Sequence, residues 1–537
     1  MKALTKNSLL ALLCLFGSNT FSQVATPPAI MGLDTAPAPV LVYGEISSRT
    51  PSDTVILTFW NHYLNRFTKM PAPLKIGANP KWGTVYAGTA RKQTFTIKVP
   101  AFSDYGYFSL GDGDQTFLDR YLVRAGDSIK VSIDSRNRIL VFAGPSADFY
   151  QCQRDLELAR AHSSFNQKVP LHVPDRKAVL EDEGKRRAFS ESNNGLGRGV
   201  SIIENGRDQL QDLISQYESL SAPDRQSEVL RRYRDKVDPF ALQILEANSI
   251  GTRRAVWLRG VHKYLWAAVR KLDDKALEEE VRQLYDDWIR DLPEEEFSLA
   301  VMTNALGYMD YLFEKNRARM KFMGMDFITA IGERYAPGIR DILLTKYLTS
   351  DFQRLDPSDR QRFLAEAIHH TTTPWVMELF NKYVGINTEK STLPDFSLLD
   401  TNGGEVPLDK LKGKVSLIDF WYTGCKACIG FYKNTLRPLE DHFSDKQDFQ
   451  IVSISADPST QRWLKSISSG NYTNPKGTNL TTKGFDHPLL KYFNIYGFPY
   501  QVLLDQKGRV IQTGGLQKSA NELIPLLEDI LKQNTDH

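Results

Sequence analysis

At 537 residues the chain is too long for a single hydrophobic core, and its length indicates three or four domains. Apolar residues make up 41% of the chain and charged residues 24%, a balance typical of globular proteins. The 67 basic and 64 acidic side chains leave a formal charge of +3, so the chain lacks the concentrated basic character that nucleic-acid binding usually requires.

The first 22 residues have the layout of a secretory signal peptide. Lys2 and Lys6 precede an apolar run over residues 9–16, and small and polar residues follow as far as a predicted cleavage site after Ser22. The run is too short to span a membrane, and no later stretch approaches the ~20 apolar residues of a transmembrane helix. Cys14 lies inside the run, which argues against a lipid anchor. We therefore predict a periplasmic or otherwise exported protein without a transmembrane segment in its mature chain.

Residues 23–147 have the pattern of a β domain. Polar and apolar residues alternate over residues 94–99, and Ile129, Val131 and Ile133 repeat the same period of two. Turn-forming glycine and aspartate residues separate these stretches. The natural packing of such strands is an antiparallel, sandwich-like domain.

Residues 148–388 are predicted to be helical. Residues 169–199 are polar and charged, which favours a loop or a loose connection. His369 and His370 point in different directions on a helix and have no further ligands at metal spacing, so we predict no metal site there. The clearest helix ends before Pro293 and carries its apolar residues on one face, at Leu277, Val281, Leu284, Tyr285, Trp288, Ile289 and Leu292.

The cysteine pattern concentrates the chemistry in residues 389–537. An exported protein of this size without a disulfide network relies on its hydrophobic cores, so its one C-x-x-C pair is predicted to be reactive rather than structural. A zinc site would need a second cysteine or histidine pair to complete four ligands, and we predict no metal. The chain contains four cysteines, Cys14, Cys152, Cys425 and Cys428.

The C-x-x-C pair follows an apolar strand predicted over residues 415–421. The strand runs into a short turn and then a helix, which places Cys425 in the first helical turn. Unpaired backbone N–H groups, the helix dipole and the charge of Lys426 all lower the pKa of the Cys425 thiol. Cys425 is therefore predicted to attack a disulfide and Cys428 to resolve the mixed disulfide, and the same steps run backwards would oxidise thiols. Asp419 is the candidate group for the resolving proton.

This part of the chain resembles the TlpA/ResA-like branch of thioredoxin-fold disulfide reductases, over residues 390–535. The resemblance implies a thioredoxin fold, a redox-active disulfide with no other cofactor, and a membrane thiol as electron donor. It rests on Asp419-Phe420-Trp421 before the C-x-x-C pair, the approach at 411–415, the hairpin residues 393–404, the segment 496–505, Gly514-Gly515 and a closing helix over 521–531.

The resemblance also implies roles for individual residues. Pro499 would be a cis-proline that faces the two sulfurs, and Phe498 would offer its backbone to an extended substrate segment. Asp419 would be a buried acid, and Trp421 would lie under the site. The predicted catalytic residues are Cys425, Cys428, Asp419 and Pro499, and the predicted substrate contacts are Trp421, Lys426, Gly424 and Phe498.

Three positions depart from the pattern of this branch. Gly424 stands where a tryptophan is usual, which loosens the rim of the site. Ala427 replaces a frequent proline between the cysteines, so the redox potential cannot be assigned from this dipeptide. The proline expected early in the helix is displaced to Pro438.

The sequence thus predicts an N-terminal antiparallel β domain (23–147), a central all-α region (148–388) and a C-terminal α/β thioredoxin fold (389–537). The predicted activity is that of a thiol–disulfide oxidoreductase that reduces disulfides of substrate proteins. Two alternatives remain open. The same fold could work as a thiol oxidase or isomerase, or the first ~370 residues could bind a partner protein while the thioredoxin domain is accessory.

Overall fold

The computed structural model describes residues 36–48, 50–64, 71–83, 92–165, 167–195, 198–294, 296–332, 334–352, 355–387, 396–493, 495 and 497–535. The predicted signal peptide, its cleavage site after Ser22 and Cys14 lie outside these residues. None of the helices within the described ranges is both long and apolar enough to cross a bilayer.

The N-terminal region forms two β-sheets that share one hydrophobic core. Ile129, Val131 and Ile133 are buried there, which confirms the predicted period of two. The sheets have the strand orders β4-β5-β1-β8-β9 and β3-β2-β6-β7. The strands are β1 (Ala38–Ser47), β2 (Val55–Trp60), β3 (Leu74–Ala78), β4 (Lys81–Gly83), β5 (Lys92–Phe102), β6 (Tyr105–Gly111), β7 (Thr116–Arg124), β8 (Ser128–Asp134) and β9 (Ile139–Ala143).

The prediction of a purely antiparallel domain is wrong for one pair of strands. Strand β1 pairs in parallel with β8, from Leu41 opposite Ser128 to Ser47 opposite Asp134. The chain leaves this sheet after β5 to build β6 and β7 in the other sheet, and it returns in the direction of β1. Side chains alternate with the same period in both kinds of pairing, so the sequence pattern does not distinguish them.

The central region contains fourteen helices among the described residues, and one π-helical segment, Gly260–Leu265, joins two of them. The α-helices are α1 (Ala147–Phe165), α2 (Lys177–Leu180), α3 (Glu183–Asn194), α4 (Arg207–Leu220), α5 (Arg225–Arg232), α6 (Pro239–Arg259), α7 (Trp266–Leu272), α8 (Lys275–Asp291), α9 (Leu299–Asn304), α10 (Leu306–Met323), α11 (Phe327–Ile331), α12 (Pro337–Ser350), α13 (Pro357–His370) and α14 (Pro374–Asn387).

This region is not all-α, and residues 169–199 are not a loop. Strands β10 (Val169–Val173) and β11 (Val200–Glu204) pair in parallel, with helices α2 and α3 between them. Each strand has five residues, and most side chains of β10 are exposed, so the segment has the polar composition of a loop. Backbone pairing, rather than burial, defines these strands.

The amphipathic helix predicted before Pro293 is confirmed as α8. Its apolar face buries Leu277, Val281 and Tyr285, together with Trp288. The helix begins where the Asp274 side chain accepts a hydrogen bond from the Leu277 N–H, which satisfies one of the unpaired donors of the first turn.

The helical core continues into the β-sandwich. Tyr105, Tyr107 and Leu122 of the sandwich belong to the same buried cluster as the helices. The Tyr107 hydroxyl donates to the Asn304 carbonyl at 2.9 Å and accepts from Asn248 Nδ2 at 3.1 Å. The two regions therefore pack as one body along this face.

The C-terminal domain has the α/β fold that the resemblance implies. Its seven-stranded sheet has the order β13-β12-β16-β15-β14-β17-β18, with β14, β15 and β16 parallel and β17 antiparallel to β14. The elements are β12 (Ser397–Asp400), β13 (Glu405–Pro407), a 3₁₀ helix (Leu408–Leu411), β14 (Val415–Trp421), α15 (Lys426–Phe431), a π-helical segment (Tyr432–Leu436), α16 (Arg437–His442), β15 (Phe449–Ser455), α17 (Thr460–Ser468), β16 (Thr478–Thr481), α18 (Pro488–Tyr492), β17 (Tyr500–Leu504), β18 (Val510–Thr513) and α19 (Ala520–Thr535).

Helices α6 and α10 approach closely at a pair of glycines. A Cβ on Gly251 would lie 2.4 Å from the Gly307 carbonyl oxygen, and a Cβ on Gly307 would lie 2.3 Å from the Asn248 carbonyl oxygen. Neither distance leaves room for a methyl group against backbone atoms, so the crossing depends on both glycines.

We predict that Gly251→Ala destabilises the helical region by about 1–3 kcal/mol, because the added methyl group forces the two helices apart. Gly338→Ala is the matched control. Its new Cβ would meet only the Thr303 Cγ2 atom at 3.9 Å, so the higher helix propensity of alanine should stabilise α12 slightly. Urea unfolding followed by far-ultraviolet circular dichroism measures both effects. Equal midpoints for the two variants would contradict the prediction.

Candidate functional site

The predicted strand–turn–helix unit is present. Every side chain of β14 is buried, and Cys425 is the N-cap residue of α15. The helix runs on through the π-helical segment into α16, which contains Pro438 in its first turn. The wider π-helical turn before Pro438 accommodates a residue that cannot donate a backbone hydrogen bond, so the displaced proline does not end the helix.

Cys425 and Cys428 form a disulfide in the structure. The Cys425 sulfur accepts a hydrogen bond from the Cys428 backbone N–H, with a distance of 3.0 Å between sulfur and nitrogen. Cys425 is 6% exposed and Cys428 2%, so the first cysteine is the more accessible of the two. The same N–H group would stabilise negative charge on the Cys425 sulfur after reduction.

The turn before Cys425 is held by side chains from α17 and from the segments on either side of this helix. Asp457 accepts hydrogen bonds from the Thr423 backbone N–H and, at 2.7 Å, from the Thr423 hydroxyl. The Gly424 N–H donates to the Tyr472 hydroxyl at 2.8 Å, and Arg462 donates to the Thr423 carbonyl at 2.9 Å. These contacts fix the direction from which the chain enters the helix.

Gly424 and Lys426 flank Cys425 and are both exposed. The backbone of Gly424 has a φ of 99°, which a residue with a Cβ rarely adopts. A tryptophan at this position would be strained in this backbone conformation, and the glycine leaves the rim of the site open. Lys426 begins α15, where its charge faces solvent.

Trp421 lies beneath the disulfide and is fully buried. Its ring stacks on Tyr472 with a centroid distance of 4.8 Å, and its indole N–H donates to Ser453 Oγ at 2.6 Å. Direct contact with a substrate, as predicted for Trp421, is incompatible with this burial. Trp421 instead packs in the apolar cluster that contains both cysteines and Trp463.

The peptide bond between Phe498 and Pro499 is cis. Phe498 is partly buried and packs against the same apolar cluster as the cysteines. Its ring meets Tyr422 edge to face at 5.4 Å and Phe485 at 5.8 Å, and Tyr422 also contacts Phe485. The three rings form an apolar rim beside the disulfide, on which Phe485 is 43% exposed.

Asp419 is buried within β14, directly opposite Gln501 of β17. Gln501 Nε2 donates to Asp419 Oδ1 at 2.7 Å. Burial raises the pKa of Asp419 to about 7, and the hydrogen bond from Gln501 offsets a part of this effect. The carboxyl group can therefore gain or lose a proton near neutral pH, which is the property required of a proton-transfer group.

The other sequence candidates are distant from this chemistry. Cys152 is a free cysteine buried in the helical core, and burial raises the pKa of its thiol to about 12. Among the described residues, no three histidine, cysteine or acidic side chains cluster closely enough to hold a metal ion.

The sequence did not identify the residues that support the site from other elements. These include Asp457 and Tyr472 at the turn, Ser453 under Trp421, and Gln501 beside Asp419. A signal existed for Asp457, because it follows β15 and the carboxyl ends of adjacent parallel strands meet at one edge of a sheet. No sequence pattern links Tyr472 or Gln501 to their partners.

The similarity of this chain to known proteins lies in its C-terminal domain. The Redoxin family model matches residues 388–527. The thiol-disulfide oxidoreductase ResA of Bacillus subtilis is 28% identical over 135 residues, which are 25% of this chain and 71% of the relative. ResA of Geobacillus kaustophilus is 30% identical over 146 residues, which are 25% of this chain and 79% of the relative. The solved thioredoxin domain of a Bacteroides vulgatus thiol-disulfide oxidoreductase is 26% identical, with 26% of this chain and 96% of that domain covered and a TM-score of 0.23.

We predict a pH-dependent effect of Asp419→Asn on stability. The folded protein keeps the Asp419 proton up to about pH 7, whereas the unfolded chain loses it near pH 4, so the folded state binds more protons between these values. The free energy of unfolding of the wild type therefore falls as the pH rises from about 4 to 7. It should fall by up to about 4 kcal/mol relative to Asp419→Asn.

Urea titrations at several pH values test this, with pulse proteolysis reporting the loss of the oxidised C-terminal domain. Glu405→Gln, which changes an exposed carboxylate on the same sheet, is the control and should follow the wild type. Parallel pH dependences of wild type and Asp419→Asn would show that Asp419 is ionised throughout this range.

Proposed function

We propose that this chain, which belongs through its C-terminal domain to the ResA/TlpA-like thiol-disulfide oxidoreductases, is an exported reductase of protein disulfides. The observation that carries the proposal is the Cys425 sulfur at a helix N-terminus, where it accepts the N–H of its partner cysteine. The buried Asp419 lies in β14, the strand that leads to Cys425, and its pKa near neutrality makes it suited to proton transfer.

The reduced enzyme would work through two exchange steps. The Cys425 thiolate attacks one sulfur of the substrate disulfide, a Cys425–substrate bond forms, and the other substrate sulfur leaves as a thiolate. Cys428, once deprotonated, attacks the Cys425 sulfur, so the Cys425–Cys428 disulfide forms and the second substrate thiolate leaves. Two electrons pass from the enzyme dithiol to the substrate, and the two substrate thiolates take up protons.

Asp419 is our candidate acceptor for the Cys428 proton. A carboxyl group with a pKa of about 7 is largely ionised above neutral pH and can take a proton that it later returns to solvent or to a product thiolate. Gln501 orients one of its oxygens. We propose that this pair serves the second exchange step.

The substrate would bind across the exposed edge of the site. The backbone at Phe498 and Pro499 borders the cluster that contains Cys425, and the open rim at Gly424 leaves space for an extended segment. Lys426 is exposed beside the sulfur and would attract acidic groups of a substrate.

The direction of transfer follows from how strongly the thiolate is stabilised. A strongly oxidising protein has a greatly stabilised reduced form. Within the described residues, the hydrogen bond from Cys428 N–H is the one that the Cys425 sulfur accepts, and Arg462 donates to the Thr423 carbonyl instead. This modest stabilisation favours the reductase over the oxidase or isomerase.

The cycle needs an outside source of electrons. The N-terminal sequence favours export, and exported compartments generally keep thiols oxidised. We therefore propose a membrane protein with an exposed dithiol as the donor. The redox-active disulfide would carry out the reaction without a bound cofactor.

Trapping tests the proposed activity. Cys428→Ser removes the resolving thiol, so it should accumulate mixed disulfides through Cys425 with exported substrate proteins, and Cys425→Ser should reduce no disulfide. Cys152→Ala is the matched control, because it removes the other described cysteine and should keep full activity. Equal reduction rates for wild type and Cys425→Ser would refute the proposal. Tight partner binding without a mixed disulfide would favour the alternative in which the first ~370 residues bind a partner protein.

Equilibration of the Cys425–Cys428 pair in glutathione buffers tests the direction. We expect a reduction potential near that of thioredoxin, about −270 mV, because the helix N-terminus stabilises the thiolate only modestly. A potential near the value of about −120 mV typical of a strong oxidant would instead assign the chain to thiol oxidation. Mass spectrometry of alkylated samples counts the free thiols at each buffer ratio.

A further inference from the structure

A buried arginine of the helical region extends its guanidinium group into the C-terminal domain. Arg360 of α13 is 4% exposed. One of its terminal nitrogens donates to the carbonyl and hydroxyl oxygens of Thr513, and the other donates to the Gly514 carbonyl at 3.4 Å. Because a buried charge is costly unless hydrogen bonds satisfy it, these contacts oppose any separation of Arg360 from the loop.

Arg360 contacts the end of β18 and the loop that follows it, and this segment, residues 513–518, is called the docking loop below. It touches the helical region at two further points. Lys518 pairs with Asp356 at 2.9 Å. A Cβ on Gly515 would lie 2.8 Å from the Leu355 carbonyl oxygen, and the φ of Gly515 is 65°, so this contact requires glycine.

The other side of the docking loop contacts the disulfide site. The Gly514 N–H donates to the Gln501 carbonyl at 2.9 Å, and the Gln517 side chain donates to the Pro499 carbonyl. These two bonds fix the cis-proline and β17, the strand that follows it and contains Gln501, the partner of Asp419. The Lys518 carbonyl accepts from the Thr435 hydroxyl at 3.1 Å, and Thr435 lies in the helix that begins at Cys425.

We propose that Arg360 is a positioning residue for the disulfide site, and that the helical region acts through the docking loop to hold the substrate-binding strand in place. This inference rests on the proposed reductase function and gives the helical region a role in it. The docking loop lies between Arg360 and β17, the strand that follows Pro499. Loss of the buried guanidinium frees that loop, and the strand shifts relative to the sulfurs.

The site itself contains none of the atoms of Arg360. Its effect should therefore fall on substrate binding rather than on the intrinsic chemistry of Cys425. A merely structural role would lower the amount of folded protein, whereas a positioning role changes the KM of the folded protein.

The first test compares steady-state reduction of a disulfide-containing peptide by full-length variants, with dithiothreitol as the electron donor. Arg360→Ala should raise KM by roughly tenfold and change kcat by less than about twofold, because the binding strand moves while Cys425 does not. Arg360→Lys keeps the charge and one donor nitrogen, so its KM should lie between the KM of the wild type and that of Arg360→Ala. Arg362→Ala on the same helix removes an exposed arginine paired with Asp359 and should behave as the wild type.

The second test needs no activity and separates failure of this inference from failure of the proposed function. Hydrogen–deuterium exchange of the full-length protein follows the amides of β17 and of the docking loop, with β15 as an internal reference. Arg360→Ala and Arg360→Lys should speed exchange in β17 and the docking loop and leave β15 unchanged, even if no variant reduces disulfides. Wild-type exchange in β17 for both variants would overturn the inference, as would a wild-type KM for Arg360→Ala.

Discussion

The hydrogen bond from the Cys428 N–H to the Cys425 sulfur is the contact on which the rest of the site depends. It forms because the buried strand β14 leads through a short turn to the N-terminus of α15, where backbone N–H groups have no partners within the helix. The turn between strand and helix is held by Asp457 and Tyr472. The apolar cluster with Trp421 beneath the sulfurs then keeps both cysteines out of bulk solvent.

The site shifts the ionisation of Cys425 and of Asp419 in opposite directions. The helix N-terminus favours the charged form of the Cys425 sulfur, whereas burial favours the neutral form of Asp419 and raises its pKa to about 7. When the surroundings shift the pKa values of two groups in opposite directions, the group with the lowered pKa is suited to be the nucleophile and the one with the raised pKa to transfer protons. Gln501 connects Asp419 to β17, the strand that follows Pro499, so the proton-transfer group and the proposed substrate-binding backbone share one support.

The sequence predicted the parts of this arrangement that are local in the chain. The cysteine spacing, the strand before it and the helix after it lie within about thirty residues, so periodicity and helix-end chemistry were sufficient. Gln501 and Asp457 were missed because each meets its partner only through strand pairing. The resemblance placed Trp421 under the site, but its complete burial was not predicted, because Tyr472 and Trp463 cover it from distant segments. The parallel pairing of β1 with β8, and of β10 with β11, was missed because alternation does not encode strand direction.

The measurement that tests the central claim most directly is the pKa of the Cys425 thiol in the reduced protein. The rate of alkylation by iodoacetamide would be followed against pH in the Cys152→Ala, Cys428→Ser background, which leaves Cys425 as the reactive cysteine among the described residues. A thiolate stabilised at a helix N-terminus predicts a pKa clearly below the ~8.5 of an unperturbed cysteine. A pKa at or above that value would contradict the account, since the sulfur would gain nothing from its place in the fold.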